Sequence, residues 1–274
     1  MKNMSNERKM KIENENNGGK NCVVIPLVDI EEFKKSNYYK LLTESTSIDF
    51  MFVEDGSKDF CFSKSMNAGI KSAIDTGYKV ITLSTNNINF THSLEETEFT
   101  FYLDTIQKSK FDFHSAYHVV QSVNGNPNRN ILTDSSLKYL YTGIVSKYPL
   151  FTLKRWLQMK KERMPNMYVT WTSLQSGFYG VMPFSIFSSE ILKKYKFDEN
   201  IKNSLEDTDL SYRLWKDGVP IRIIPINIEH RGNQSFKKIN ERDKLSGYYN
   251  PTDYRNNLIY MHNKYYGEGM KEID

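Results

Sequence analysis

The sequence predicts an α/β fold, and three observations support this prediction. Two short apolar runs, 22–28 and 48–53, are typical of strands buried on both faces of a parallel sheet. A third apolar run, 78–83, follows a segment at 63–76 whose apolar residues have helical spacing. Strands that alternate with helices in this way indicate the first half of a doubly wound sheet.

The elements can be predicted in order along the chain. Residues 1–20 are rich in Asn, Glu, Lys and Gly without periodicity, so we expect a disordered leader there. After it we expect strands at 22–28, 48–53, 78–83, 111–120 and 221–224, and helices at about 31–45, 63–76 and 206–217. The whole chain has 274 residues, 39% of them apolar, which is enough for one large core or two small ones.

Composition restricts the function classes. The net charge of +4 is modest and spread along the chain, so no nucleic-acid partner is required, while a phosphate-bearing ligand is compatible with it. The two cysteines, Cys22 and Cys61, have no zinc-site or disulfide spacing. No apolar run approaches the roughly 20 residues of a membrane span, and the N-terminus is polar, so we expect an intracellular, cytoplasmic protein.

The most informative segment is 205–218, where two carboxylates, Glu206 and Asp207, lie at the start of an amphipathic helix. Leu210 and Leu214 are four residues apart and form its apolar stripe. A carboxylate in the first turn stays ionised beside the positive helix end and can take a proton from a bound hydroxyl. The alternative is a capping box, in which Ser204 and Asp207 bond each other's backbone N–H groups.

The ordered set of motifs is more specific than any one of them. In chain order the motifs are Val23 to Pro26, Val53 to Ser57, Asn67 to Gly69, Leu83 to Asn87, Glu206-Asp207 and His230. Together they resemble family 2 glycosyltransferases of the GT-A fold, from about Val23 to Ser235. The resemblance implies a Rossmann-related mixed sheet flanked by helices and inverting transfer of a hexose-type sugar from a nucleoside diphosphate sugar. The acceptor would be a hydroxyl of a glycan, a lipid-linked sugar or a protein.

The same resemblance implies roles for individual residues. Asp207 would be the general base, and Glu206 would orient the acceptor. The expected donor-binding residues are Pro26, Asp29, Asp55, Asn67, Gly69, Ser84, Asn86 and Arg231, and the expected acceptor-binding residues are Trp171, Gly177, Phe178 and Tyr179. Simpler readings stay open: Asp55 and the following glycine form an ordinary turn, and Arg231 is a solvated surface cation.

The metal-binding position departs from the family pattern. Relatives carry an Asp-x-Asp pair for Mn²⁺ or Mg²⁺ after the third strand, but this chain has Ser84 and Asn86 there. Loss of two carboxylates weakens a site for a hard cation. Asn86 and His230 could assist an ion held by the diphosphate, cationic side chains could replace the ion, or turnover could be lost.

The resemblance implies one domain at 21–250, with a nucleotide-sugar-binding half at 21–90 and an acceptor-binding half at 91–250. The second half contains an insertion at 92–170, and a helical tail is expected at 251–274. The basic segment 148–163 is either a core-facing helix or a peripheral contact with an anionic membrane. The alternative to an enzyme is a degenerate module that binds a nucleotide sugar or glycan without turnover.

Overall fold

The structure of the protein is a computed structural model. It describes residues 10–15, 21–44, 48–56, 60–90, 113–123, 184–203, 205–219, 221–230 and 251–266. Eight strands and six helices lie in these ranges. The strands are β1 (Lys11–Glu15), β2 (Asn21–Leu27), β3 (Ile48–Glu54), β4 (Val80–Ser84), β5 (Ile88–Phe90), β6 (Ala116–Val123), β7 (Phe184–Ser188) and β8 (Ile221–His230). The helices are α1 (Ile30–Phe33), α2 (Asn37–Glu44), α3 (Phe62–Thr76), α4 (Ser189–Lys194), α5 (Glu206–Lys216) and α6 (Pro251–Tyr266).

The strands form one mixed sheet in the order β1-β3-β2-β4-β7-β6-β8-β5. The pairs β3-β2, β2-β4 and β6-β8 are parallel, and the other pairs are antiparallel. The β2-β3 ladder continues to Leu27 and Glu54, whereas the β2-β4 ladder ends at Val24 and Leu83. Pro26 has no N–H to donate, and it lies beyond this last pair. The carboxyl ends of β2 and β4 are therefore not paired with each other.

Helices cover both faces of the sheet. On one face, alternate residues of β2 and β3 such as Val24 and Val53 pack with Met66 and Ile70 of α3, and with α4 and α5. On the other face, Val23 and its alternate neighbours pack with α1 and α2. Because both faces are buried, the central strands are apolar at nearly every position. This confirms the predicted α/β class with a mixed sheet flanked by helices.

The predicted disorder of residues 1–20 is wrong for β1. Lys11–Glu15 pairs antiparallel with β3 at the edge of the sheet. Its charged and polar side chains are mostly exposed, and charged side chains are common on edge strands because they hinder pairing with other chains. The same composition is typical of disorder, so composition alone did not distinguish the two.

The predicted helix at about 31–45 is two helices. Ser36 accepts the N–H of Tyr39 at 3.0 Å through its side-chain oxygen, so it caps α2 and starts a new helix. Two predicted strands have other bounds in the structure. The strand predicted at 111–120 is observed at Ala116–Val123, and the strand predicted at 221–224 extends to His230. None of the described helices is long and apolar enough to cross a membrane.

Candidate functional site

The carboxyl end of β3 presents Asp55 beside the first turns of α3. Its residue surface is 5% exposed, its N–H donates to the Leu27 carbonyl at 2.9 Å, and Ser65 of α3 donates to its carboxylate at 3.4 Å. A turn residue without another role is usually solvated, whereas Asp55 is enclosed at the sheet edge where open α/β sheets bind ligands. The role of Asp55 in donor binding stays a prediction.

A second group of contacts joins the start of α3 to the segment that precedes α5. Asn203 accepts the Phe62 N–H at 3.1 Å and donates to the Phe60 carbonyl at 3.0 Å through its side-chain amide. The Ser63 hydroxyl donates to the Ile201 carbonyl at 2.6 Å. These bonds satisfy backbone groups at the helix start, which have no partner within the helix. They also place α5 next to the turn that contacts Asp55.

Asn67 has a structural role in the same connection. Its amide nitrogen donates to the Phe197 carbonyl and to the Glu199 carboxylate, both at 2.9 Å, and its amide oxygen accepts the Phe197 N–H at 2.9 Å. We expected Asn67 to shape a loop beside the donor. The structure shows that the loop it shapes is the one that leads to α5.

Glu206 and Asp207 lie in the first turn of α5, and both are half-buried. The Asp207 carbonyl accepts the hydroxyl of Ser211 at 2.6 Å. Burial raises the pKa of the Cys61 thiol, and the nearby charges of Glu199 and Glu206 raise it further. Glu206 lies three residues after Asn203, which bonds Phe62 and Phe60 at the start of α3. Ser204 lies outside the described residues, so the capping-box alternative stays untested.

The residue before these carboxylates has an unusual backbone. Leu205 has a φ of 70°, the left-handed region that costs a residue with a Cβ roughly 1–2 kcal/mol. Its side chain is 6% exposed and its carbonyl accepts the N–H of Asp209 at 3.0 Å. Such strain persists where the surrounding contacts over-determine the backbone. The orientation of the Glu206 and Asp207 side chains therefore depends on the contacts that hold Leu205 in this conformation.

Asp209 of α5 is buried and ion-paired. Its residue surface is 0% exposed, and Arg213 Nε donates to its carboxylate at 2.8 Å. Lys264 donates to the other carboxylate oxygen at 2.6 Å, and the Tyr265 hydroxyl donates to it as well. A buried charge of this kind is tolerated because it is paired and hydrogen-bonded.

Asp198 forms a neighbouring anchor for α6. Lys264 donates to its carboxylate at 2.7 Å and Tyr260 at 2.8 Å. Burial by itself would raise the pKa of Asp198, but the bonds from Lys264, the Asn200 N–H and Tyr260 outweigh it and lower that pKa to about 2. The residue is therefore ionised at neutral pH.

Ser84, at the predicted metal position, already has hydrogen-bond partners. Ser84 is fully buried, accepts the Tyr38 hydroxyl at 2.7 Å and donates to the Thr85 carbonyl at 3.0 Å. Asn86 follows in a half-buried turn and offers a neutral oxygen. No cluster of three His, Cys, Asp or Glu residues suited to a metal occurs in the described ranges. The His230 side chain is outside the description, although its backbone pairs with Ile88.

Other predicted donor residues serve the fold. Asp29 caps α1 by accepting the Glu32 N–H at 3.0 Å, and its side chain is exposed. A Cβ on Gly69 would lie 2.4 Å from Val24 Cγ1 and 2.8 Å from Val53 Cγ2, so glycine allows α3 to pack closely on the sheet. Gly69 thus permits close approach of a helix to two strands, and a role for it in donor binding stays a prediction.

Sequence reasoning missed Asn203 and Lys264. Asparagine is common in loops and lysine on helix surfaces, so neither carried a local signal. Arg231 and the predicted acceptor residues Trp171, Gly177, Phe178 and Tyr179 lie outside the described residues, as do the segment 148–163 and nearly all of the insertion.

No protein-family model matches this chain, and no curated protein matches its sequence. Among solved structures, the fold is similar to that of S. aureus TarS 1-349, with a TM-score of 0.44 and 9% identity over 90% of this chain and 72% of that chain. It is also similar to a protein described as a glucose-1-phosphate thymidylyltransferase from Bacillus anthracis in complex with a sucrose. That match has a TM-score of 0.35 and 12% identity, over 82% of this chain and 76% of the other.

Proposed function

We propose that this protein is a glycosyltransferase that uses a nucleoside diphosphate sugar and inverts the anomeric centre, with Asp207 as the general base. One observation supports the proposal: the start of α3 bonds both Asp55, at the carboxyl end of β3, and residues 201–203, which precede α5. The proposal assigns nucleotide recognition to Asp55 and places the acceptor beside Glu206 and Asp207, which follow residues 201–203 in the chain. The ordered motifs that resemble family 2 glycosyltransferases support the same reading.

The proposed reaction is a single displacement. The acceptor oxygen bonds to the anomeric carbon, the bond from that carbon to the diphosphate oxygen breaks, and the acceptor proton passes to the Asp207 carboxylate. Asp55 would accept from a base N–H or a ribose hydroxyl of the donor. The proposed displacement uses no metal, because Ser84 is hydrogen-bonded to Tyr38 and Thr85. Arg231 is the candidate for stabilising the leaving diphosphate.

The test is release of nucleoside diphosphate from UDP-, GDP- and dTDP-sugars. Asp207→Asn removes the base with little change in size, and loss of a general base costs typically 10²–10⁴-fold in rate. The matched control is Asp75→Asn, because Asp75 is an exposed carboxylate of α3 that pairs only with Lys71 in the described part of the chain. We expect at least a 100-fold lower rate for Asp207→Asn and an unchanged rate for Asp75→Asn. Equal rates for wild type and Asp207→Asn would refute the assignment of the base.

A second candidate is a module that binds a nucleotide sugar or glycan without turnover. The observation that favours it is Ser84, whose buried hydroxyl replaces a metal-binding carboxylate. Saturable donor binding with no product from any donor, in the presence of a panel of glycan, lipid-linked and peptide acceptors, would establish this candidate. Transfer to any acceptor would exclude it.

A further inference from the structure

We propose that Lys264 and Tyr265 of α6 are positioning residues that fix the direction of Glu206 and Asp207. This inference rests on the proposed function, since it concerns the same carboxylates. It begins with the Lys264 ammonium, which donates to Asp198 at 2.7 Å and to Asp209 at 2.6 Å. These two acceptors stand on either side of Glu206 and Asp207 in the sequence. One cation thus holds both ends of the segment 198–209.

Further contacts from α6 reach the same segment. The Asn257 side chain donates to the Asn203 carbonyl at 2.9 Å, and Tyr260 donates to Asp198 at 2.8 Å. The Tyr265 hydroxyl donates to Asp209, and its ring meets that of Tyr212 edge-on with centroids 4.6 Å apart. The contacts therefore cover the segment before α5, its first turn and its second turn.

The strained residue lies between these anchors. Leu205, with its φ of 70°, directly precedes Glu206. A residue with a Cβ keeps this conformation only while its surroundings hold it there. If the ends at Asp198 and Asp209 were released, Leu205 could return to a negative φ, and that rotation would turn the first residues of α5. The α6 contacts therefore control the orientation of the carboxylates without touching them.

The charges of this cluster are compatible with a fixed anchor. The groups that face Lys264 are the carboxylates of Asp198 and Asp209 and the rings of Tyr260 and Tyr265, with Arg213 on the far side of Asp209. The carboxylates of Asp198 and Asp209 are balanced by two cations, Lys264 and Arg213. Removing Lys264 therefore leaves these two carboxylates with Arg213. Removing one partner of a buried ion pair is destabilising because it leaves a buried charge uncompensated. The expected consequence is local opening of segment 198–209.

The experiment compares Lys264→Met, Lys264→Arg and Tyr265→Phe with wild type. Lys71→Met is the matched control, because Lys71 forms an exposed ion pair with Asp75 on α3. Two readouts are needed: peptide-level hydrogen exchange over 198–213, which requires no activity, and the kcat and KM of nucleoside diphosphate release. Tyr265→Phe keeps its ring and loses a single hydroxyl, so it tests the same anchor should Lys264→Met not fold.

For Lys264→Met we expect at least tenfold faster exchange over 198–213 and at least a tenfold lower kcat with donor KM within twofold. Lys264→Arg should bring the exchange rate and kcat most of the way back to the wild-type values, and Lys71→Met should change neither quantity. Unchanged exchange in both Lys264→Met and Tyr265→Phe would overturn the inference whatever the activity. Faster exchange with wild-type kcat would overturn the positioning role. If the wild-type protein turns over no donor, while Lys264→Met still exchanges faster over 198–213, the result counts against the proposed function and supports the anchor.

Discussion

The close packing of α3 on the sheet makes Gly69 a sharp test of the fold that carries the site. In Gly69→Ala, the added methyl would lie 2.4 Å from Val24 Cγ1 and 2.8 Å from Val53 Cγ2. Attractive contacts between carbon atoms need about 3.5–4.0 Å, so α3 or the valines must move by roughly 1 Å. Both valines are fully buried on β2 and β3, in a core that leaves few voids.

Two opposing effects determine how much Gly69→Ala changes the free energy of unfolding. Overpacking a core typically costs about 1–3 kcal/mol, and replacing glycine by alanine inside a helix gains about 1 kcal/mol. Because the methyl conflicts with two strands at once, we take the upper end of the cost and expect a net loss of about 2 kcal/mol in the free energy of unfolding. A shift of α3 would also disturb Asn67, two residues earlier, which bonds Phe197 before α5.

The assay is urea-induced unfolding followed by circular dichroism. Ser72→Ala in the same helix is the control for helix propensity, because that position already has a Cβ. Val24→Ala removes the atom in closest conflict, so the double variant with Gly69→Ala should be more stable than additivity predicts by at least about 1 kcal/mol. A Gly69→Ala protein as stable as wild type, or additive behaviour in the double variant, would refute the reasoning.

Two further predictions concern acid stability and metal independence. The folded pKa of Asp198, about 2, lies below its usual 3.8, so its contribution of about 2 kcal/mol is fully present above pH 4 and is lost as the pH falls from about 4 to about 2. Unfolding titrations at pH 7 and pH 3 should show Asp198→Asn less stable than wild type at pH 7 and nearer to it at pH 3, and an equal gap at both would contradict the assignment. Because Ser84 is committed to Tyr38, EDTA should change donor binding and product release less than twofold. A tenfold loss that Mn²⁺ restores would show that an ion binds, with Asn86 and His230 the first candidates.

Strand positions could be predicted because burial on both faces leaves a local signature. The runs 22–28, 48–53 and 78–83 were each found within two residues of their observed ends at Asn21–Leu27, Ile48–Glu54 and Val80–Ser84. The edge strand β1 could not be predicted, because it needs only backbone pairing with β3 and four of its five side chains are polar.

The site was predictable to the extent that its residues are marked by local sequence. Asp55 follows an apolar strand and Glu206 begins an amphipathic helix, so both were found as candidates. The surroundings of Asp209 were not, because Lys264 and Tyr265 are 55 and 56 residues away in the sequence. The bond from Tyr38 to Ser84 likewise spans 46 residues. Nothing near Ser84 in the sequence indicates that its hydroxyl is committed.

The sequence by itself determined the α/β class, the central strands and the location of two carboxylates at the start of a helix. These properties follow from the spacing of apolar residues along the chain, which local geometry converts into buried faces. The tertiary structure alone decided what each polar side chain does: Asn67 joins α3 to the segment before α5, Asp209 anchors α6, and Ser84 bonds Tyr38. A buried polar group must find a partner, and the fold decides which distant residue supplies it.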